Sequence, residues 1–424
     1  MKADLYAPTR WTRGLVFECI VVALISLIAI TVSAMHNEFS ITDTINWIQS
    51  GKIRSTFYNN DVLLANALLN GRVWIPKPDV WIDALVYHGK HYIIEGPFPA
   101  LLVMPLVMIF GVENANQTLA SIFFGAVATT LGWYICVRLG VKRGPRLWLT
   151  LFLLAGTDLW WCAELGDVWF FAHVVVVVFV FLALLELLGR RRGWLVALYA
   201  CCAAETRFTL LLALPFFAYI LASGGWYSED HHLNWRSLRG FTLTVGVGTL
   251  LWVVYNELRW GLPYDIGYTN FYRQDTWGQT TGSPFRLSYV PYQLYSYFMR
   301  PPDFVEYKQL PIPPYFKVNM NGIALPFTSP ALILVFFSQI PQRLKVALWT
   351  CIILIALPNF AYYLNGWYQF GMRHALDFEP FLFVLMAYAV RERMPHWGAL
   401  LCAYSAAVGV WGVWFWDVFI RAGD

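Results

Sequence analysis

The feature that most constrains this chain is a succession of apolar runs, the longer ones about twenty residues, with short clusters of Lys and Arg between them. The first, Gly14–Ala34, holds one charged residue, Glu18. Only 13% of the 424 residues are charged and 58% are hydrophobic, whereas soluble domains carry about 25% charged residues. Runs of this length match the hydrocarbon thickness of a bilayer, so the chain is expected to cross a membrane many times. Gly14–Ala34 is too long for a signal-peptide core and reads as an anchor.

The basic clusters orient the runs, because Lys and Arg accumulate on cytoplasmic loops. Lys2, Arg10 and Arg13 precede the first run, which places the N-terminus inside. Further inner ends are marked by Arg138, Lys142, Arg143 and Arg146, then by Arg190, Arg191 and Arg192, and by Arg236 with Arg239. Arg343 with Lys345 and Arg391 with Arg393 mark the last two. The spans then fall near Gly14–Ala34, Thr118–Val137, Leu147–Cys162, Trp169–Leu188, Thr242–Tyr255, Pro326–Phe337, Val346–Tyr363, Asp377–Val390 and Trp397–Trp416. Trp194–Ala222 reads as two half-spans meeting at Glu205-Thr206-Arg207. The expectation is an all-α polytopic membrane protein of about 11 transmembrane helices in one domain, 1–424, with an outside C-terminus. Two long extracytoplasmic loops cover 35–116 and 256–325.

Within the first loop, Asp61–Gly71 predicts an amphipathic helix, with Leu64, Ala65, Leu68 and Leu69 on one face and Gly71 as its stop. Pro97–Phe110 has 14 residues and contains Pro99 and Pro105, so it is expected to lie in the interface. A full span there would turn both the Arg138–Arg146 and Arg190–Arg192 clusters outward, against the charge rule.

This topology gathers Asp61, Asp79, Asp83, Glu95, Glu164, Asp167, Glu205, Arg207, Arg259, Asp265, Arg373, His374 and Asp377 on the outer side. A carboxylate at a membrane is costly and so marks a functional site by default, while solvation in a loop is the plainer alternative. Glycosyl transfer from a lipid phosphate needs a carboxylate to take the acceptor's proton and a cation to face the departing phosphate. Asp61, opening its helix, suits the first role, with the helix dipole expected to lower its pKa. Arg207 and Arg373 suit the second, since guanidinium pairs with phosphate in a fork; an ion pair with Glu205 or Asp377 is the structural alternative. Glu95, His91 and His173 or His374 have ligand types that admit a divalent metal, at spacings that do not specify one. His88 and His91 also fit plain loop residues, and His173 a hydrogen-bonded helix-end histidine.

Several classes are excluded. There is no P-loop, no GxGxxG and no G-x-S-x-G elbow, and no basic stripe that would bind nucleic acid. The seven cysteines lie in or beside apolar runs without disulfide or zinc spacing and read as small hydrophobes.

The segment from Asn60-Asp61 to Gly71, followed by Tyr92-Ile93-Ile94-Glu95-Gly96-Pro97-Phe98-Pro99, resembles the first outer loop of GT-C-fold glycosyltransferases. It is most similar to the bacterial aminoarabinose/mannosyltransferase-like group. Val62 stands where those proteins usually have a second acid, and Gly96 where they have Lys. The likeness extends at lower specificity through Gly156-Thr157, Gly166–His173, Thr206-Arg207, Tyr255-Asn256, Gly261–Tyr268 and Gly366–Asp377. The resemblance implies transfer of a sugar from a polyprenyl-phosphate donor to a glycan, lipid or protein outside the bacterial inner membrane. It implies Asp61 as general base and Glu95 near the acceptor or a metal, with Glu164–Asp167 at a further acidic position. His173, Glu205 and Asp377 are expected to support them. Trp260, Tyr264, Tyr268, Tyr272 and Trp277 are expected either to cover the site or to anchor the loop in the interface. The rival function is a transporter or flippase of a lipid-linked saccharide; one-sided polar residues and the lack of an internal repeat disfavour it.

Overall fold

The computed structural model describes residues 12–34, 42, 45, 55–78, 82–226, 234–274, 282–305, 315–366 and 368–420. Asp79 and Trp277 lie outside the described residues, as does most of the stretch between the first helix and Ser55.

At the centre of the bundle stands the helix Val168–Leu188, whose run Val174-Val175-Val176-Val177-Val178 is fully buried. Helices Gln117–Arg138 and Gly193–Ala204 and the turn Arg373–Asp377 pack around it. The helix Arg13–Ala34 is about as apolar and Trp235–Trp260 less so; both lie at the periphery and expose most of their surface. An all-round apolar helix needs either protein or lipid on each face, and the molecule uses both solutions.

Six helices among the described residues are long and apolar enough to cross a membrane: Arg13–Ala34, Gln117–Arg138, Val168–Leu188, Trp235–Trp260, Gln342–Ala361 and His396–Ile420. The other expected spans are shorter or broken. Leu147–Cys162 divides at Gly156 into Arg143–Ala155 and Leu159–Leu165. Pro326–Phe337 is mostly a 3₁₀ stretch, Pro330–Phe337, and Asp377–Val390 becomes a 3₁₀ turn, Arg373–Asp377, followed by Glu379–Ala389. In the reverse sense, Thr242–Tyr255 extends to Trp235–Trp260 and takes Arg236 and Arg239 into its first turn. The segment Trp194–Ala222 is a hairpin of short helices, Gly193–Ala204 and Leu214–Ala222, with Glu205-Thr206-Arg207 at its apex. Its two feet meet where Arg191 donates to the Gly224 carbonyl at 2.6 Å.

The basic clusters assemble at that same end of the bundle. Arg138 donates to the Leu188 carbonyl, Lys142 pairs with Glu392 at 2.8 Å, and Arg343 donates to Ser223 Oγ at 2.8 Å. Arg146 reaches Glu18 at 3.1 Å, which brings the start of the first helix to this end. The acidic segments occupy the opposite end.

There the chain departs from an all-α fold. Ala84–Tyr87 and Lys90–Ile93 form an antiparallel hairpin, with Tyr87 opposite Lys90. Its two-residue turn, His88-Gly89, holds both residues at positive φ, which glycine adopts without strain. A second pair, Asp303–Phe304 with Phe316–Lys317, lies in the second loop. The helix expected over Asp61–Gly71 runs Asn60–Leu69. Its buried face is Asp61, Val62, Leu64, Ala65 and Ala67, whereas Leu69 is exposed, because the helix buries its N-terminal turn more deeply than its last. Phe98–Phe110 has 13 residues with Pro105 inside, about 20 Å of helix, too short to cross alone.

Candidate functional site

Asp61 sits in the first turn of Asn60–Leu69 and is 1% exposed, yet neither carboxylate oxygen has a hydrogen-bond partner among the described residues. Burial pushes its pKa up to about 8. This corrects the expected lowering: desolvation of a carboxylate outweighs the dipole of a ten-residue helix. Glu95, buried where the hairpin runs into Pro97, is also raised, first by burial and then by the charges of Asp83 and Asp61. Glu95 thus lies within electrostatic reach of both Asp83 and Asp61. Asp83 is fixed by the Trp169 indole, which donates to it at 2.6 Å.

Glycine brings this group against the apex of the inner hairpin. A Cβ on Gly96 would stand 2.0 Å from the Glu205 carbonyl oxygen, so only glycine lets the two backbones touch. Glu95 and the Glu205–Arg207 turn are thereby adjacent. Tyr268 lies within electrostatic reach of both Glu95 and Arg207. Its pKa is raised by burial and then by Glu95, and Arg207 opposes the shift. The Tyr362 ring meets that of Tyr268 edge-on at 6.4 Å.

Arg207 donates through Nε to both oxygens of Asp377, at 2.9 and 3.0 Å. Its side chain is 18% exposed, and its terminal nitrogens make no hydrogen bond among the described residues. Asp377 is wholly buried and also accepts from Thr209 Oγ1 at 2.7 Å and Asn359 Nδ2 at 3.4 Å. His173 Nδ1 lies 3.0 Å from it; a carboxylate only accepts, so this nitrogen carries the ring proton. His374 stacks near His173, with ring centres 5.2 Å apart.

The remaining expected residues lie elsewhere or serve as struts. Arg373 is buried, donates to the Gly366 carbonyl and sits 4.9 Å over the Phe170 ring, with Asp158 in electrostatic reach. Glu164 is buried in Leu159–Leu165. Asp167 precedes Val168–Leu188 and accepts from Thr56 Oγ1, tying the first loop to the central helix. Glu205 caps Gly193–Ala204 and lies within reach of Arg259. Arg259 in turn bonds the Ile93 carbonyl, Asn256 and Asp265, and so clamps the small hairpin to the end of Trp235–Trp260. Trp260 is packed between Tyr87 and Tyr92, and Tyr272 against Tyr363, while Tyr264 is exposed. Among the described residues no three His, Cys, Asp or Glu side chains are grouped as metal ligands, so His91, His173, His374 and Glu95 do not form such a set.

Thr209, Asn359 and Tyr362 were not singled out in the sequence. The signal for Asn359 was present: a lone amide inside an apolar run, which a membrane helix tolerates only with a partner.

An apolar bundle with acids and a part-exposed guanidinium at a single end is the architecture of a polytopic membrane protein. Among solved structures, the chain is similar to the crystal structure of ArnT from Cupriavidus metallidurans bound to undecaprenyl phosphate, with a TM-score of 0.51 and 16% identity over 89% of this chain and 60% of that one. The apo form of that protein gives a TM-score of 0.48 and 15% identity over 89% of this chain and 59% of that one. The chain thus spans about 60% of ArnT's length, and what the two share is the fold. No family model and no curated relative matches the chain.

Proposed function

We propose that this protein is a membrane glycosyltransferase that moves a sugar from a polyprenyl-phosphate donor to an acceptor hydroxyl outside the cytoplasm. The observation that carries this reading is Asp61: a buried carboxyl with no hydrogen-bond partner on either oxygen among the described residues, beside Glu95, whose neighbour Gly96 touches the turn that carries the part-exposed Arg207. Buried polar groups are almost always paired, so one held unpaired calls for an explanation, and a catalytic role is the one we adopt for Asp61. ArnT, whose fold is similar, binds undecaprenyl phosphate in its crystal structure, which supports the donor class.

In the reaction, the acceptor hydroxyl gives its proton to Asp61 while its oxygen bonds the anomeric carbon. The bond from that carbon to the phosphate oxygen breaks, and the polyprenyl phosphate departs with the electron pair. The terminal nitrogens of Arg207 meet the charge that develops on it. Glu95 orients the acceptor, and the rings of Tyr268 and Tyr362 flank the sugar. Of the two arginines, Arg207 suits the phosphate better than Arg373, whose guanidinium is buried against Phe170 and Gly366.

The test is release of polyprenyl phosphate by the purified protein from a panel of polyprenyl-phosphate sugars. The Asp61→Asn variant is expected to bind undecaprenyl phosphate normally and to lose turnover by about 10²- to 10⁴-fold. Unchanged transfer would rule out Asp61 as the base.

A further inference from the structure

We infer that Asp377 is a positioning residue for Arg207: it takes the guanidinium by Nε and turns the two terminal nitrogens toward the phosphate of the donor. The inference rests on the reading that Arg207 meets that phosphate, and it concerns how the arginine is aimed.

A carboxylate and an arginine commonly pair in a fork that uses two nitrogens of the guanidinium. Here both oxygens of Asp377 converge on Nε alone, at 2.9 and 3.0 Å. That geometry leaves a second fork, Nη1 and Nη2, without a hydrogen bond among the described residues in a side chain that is 18% exposed, while Asp377 itself is wholly buried. The carboxylate is in turn locked by donors from three separate segments, Thr209, His173 and Asn359. Arg259 provides the contrast within the same end of the molecule. It spends both terminal nitrogens on Ile93, Asn256 and Asp265 and is 5% exposed, as a strut should be. Arg207 is anchored at its neck and open at its tip.

The experiment uses the full chain in lipid nanodiscs and reads the Kd for undecaprenyl phosphate together with the Tm. Arg207→Ala is expected to weaken binding by about tenfold or more, the effect of a lost charge-assisted hydrogen bond. Asp377→Asn and the milder Thr209→Val are expected to weaken it in the same direction, and Asp377→Asn combined with Arg207→Ala is expected to bind no worse than Arg207→Ala alone. Arg207→Lys is expected to keep a Tm near wild type yet bind like Arg207→Ala, since one ammonium cannot serve both the carboxylate and the phosphate. If Asp377→Asn does not fold, Thr209→Val decides. Normal binding in Thr209→Val and Asp377→Asn, with Arg207→Ala impaired, overturns the positioning role. Normal binding in Arg207→Ala overturns the phosphate reading beneath it.

Discussion

Asp61 and Asp377 are the same residue type, both buried at the same end of the bundle, and they differ in what surrounds them. Asp377 is met by donors from Arg207, Thr209, His173 and Asn359, whereas Asp61 has none among the described residues. A satisfied buried carboxylate is part of the frame; removing it strands its partners. An unsatisfied one costs stability in the empty protein and is retained for what it does when a substrate arrives. Burial alone therefore does not mark the reactive acid. Burial without a hydrogen-bond partner, as at Asp61, makes a carboxyl a candidate.

Substitutions at the two positions should part accordingly. The largest effect is the loss of turnover in Asp61→Asn by about 10²- to 10⁴-fold with folding intact. The mirror case is Asp377→Ala, expected to cost about 3–5 kcal/mol of stability by leaving Arg207 and its neighbours unpaired, read as a large drop in Tm or a failure to fold. If both variants proved equally unstable, the contrast between the two acids would collapse.

Next in size is Gly96→Ala, which forces the Glu95 segment off the Glu205 carbonyl; a displacement of about 1 Å at the site costs up to ~10²-fold in turnover. Wild-type Tm with turnover near normal would show that this contact does not set the geometry.

The last effect is a pH dependence. The folded pKa of Asp61 is about 8 against an ordinary value of 3.8, so the folded state holds an extra proton between those values. Its contribution to stability is greatest at the acid end of that window and falls as pH rises toward about 8. The base form accumulates over the same range, so turnover should climb with pH and level off above about 8. Asp61→Asn should flatten the Asp61 share of the stability slope; a wild-type rate that falls from pH 6 to 8 would contradict the assignment.

How much of this was legible in the sequence follows from the range of the interactions. Apolar runs and basic clusters are local patterns, and they set the membrane class and the gathering of the basic clusters at one end of the bundle. The Asn60–Leu69 helix and the broken hairpin with Arg207 at its apex were readable for the same reason. The sheet at Ala84–Ile93 was hidden because its strands are four residues each and its turn begins with histidine. The anchor around Asp377 was hidden because it joins positions 173, 207, 209, 359 and 377, which no periodicity relates. The pKa of Asp61 reversed in sign from expectation because burial, which follows from the packing of its helix against segments such as Phe98–Phe110, outweighs the helix dipole, a tertiary fact.

The central claim is that Asp61 and Arg207 face one substrate from two sides of a single cavity. A structure of the protein in nanodiscs with undecaprenyl phosphate tests it most directly. The account predicts the phosphate within hydrogen-bonding distance of the Arg207 terminal nitrogens, with the Asp61 carboxyl open to the same space. A phosphate held elsewhere, with Arg207 closed off behind Asp377, would contradict it.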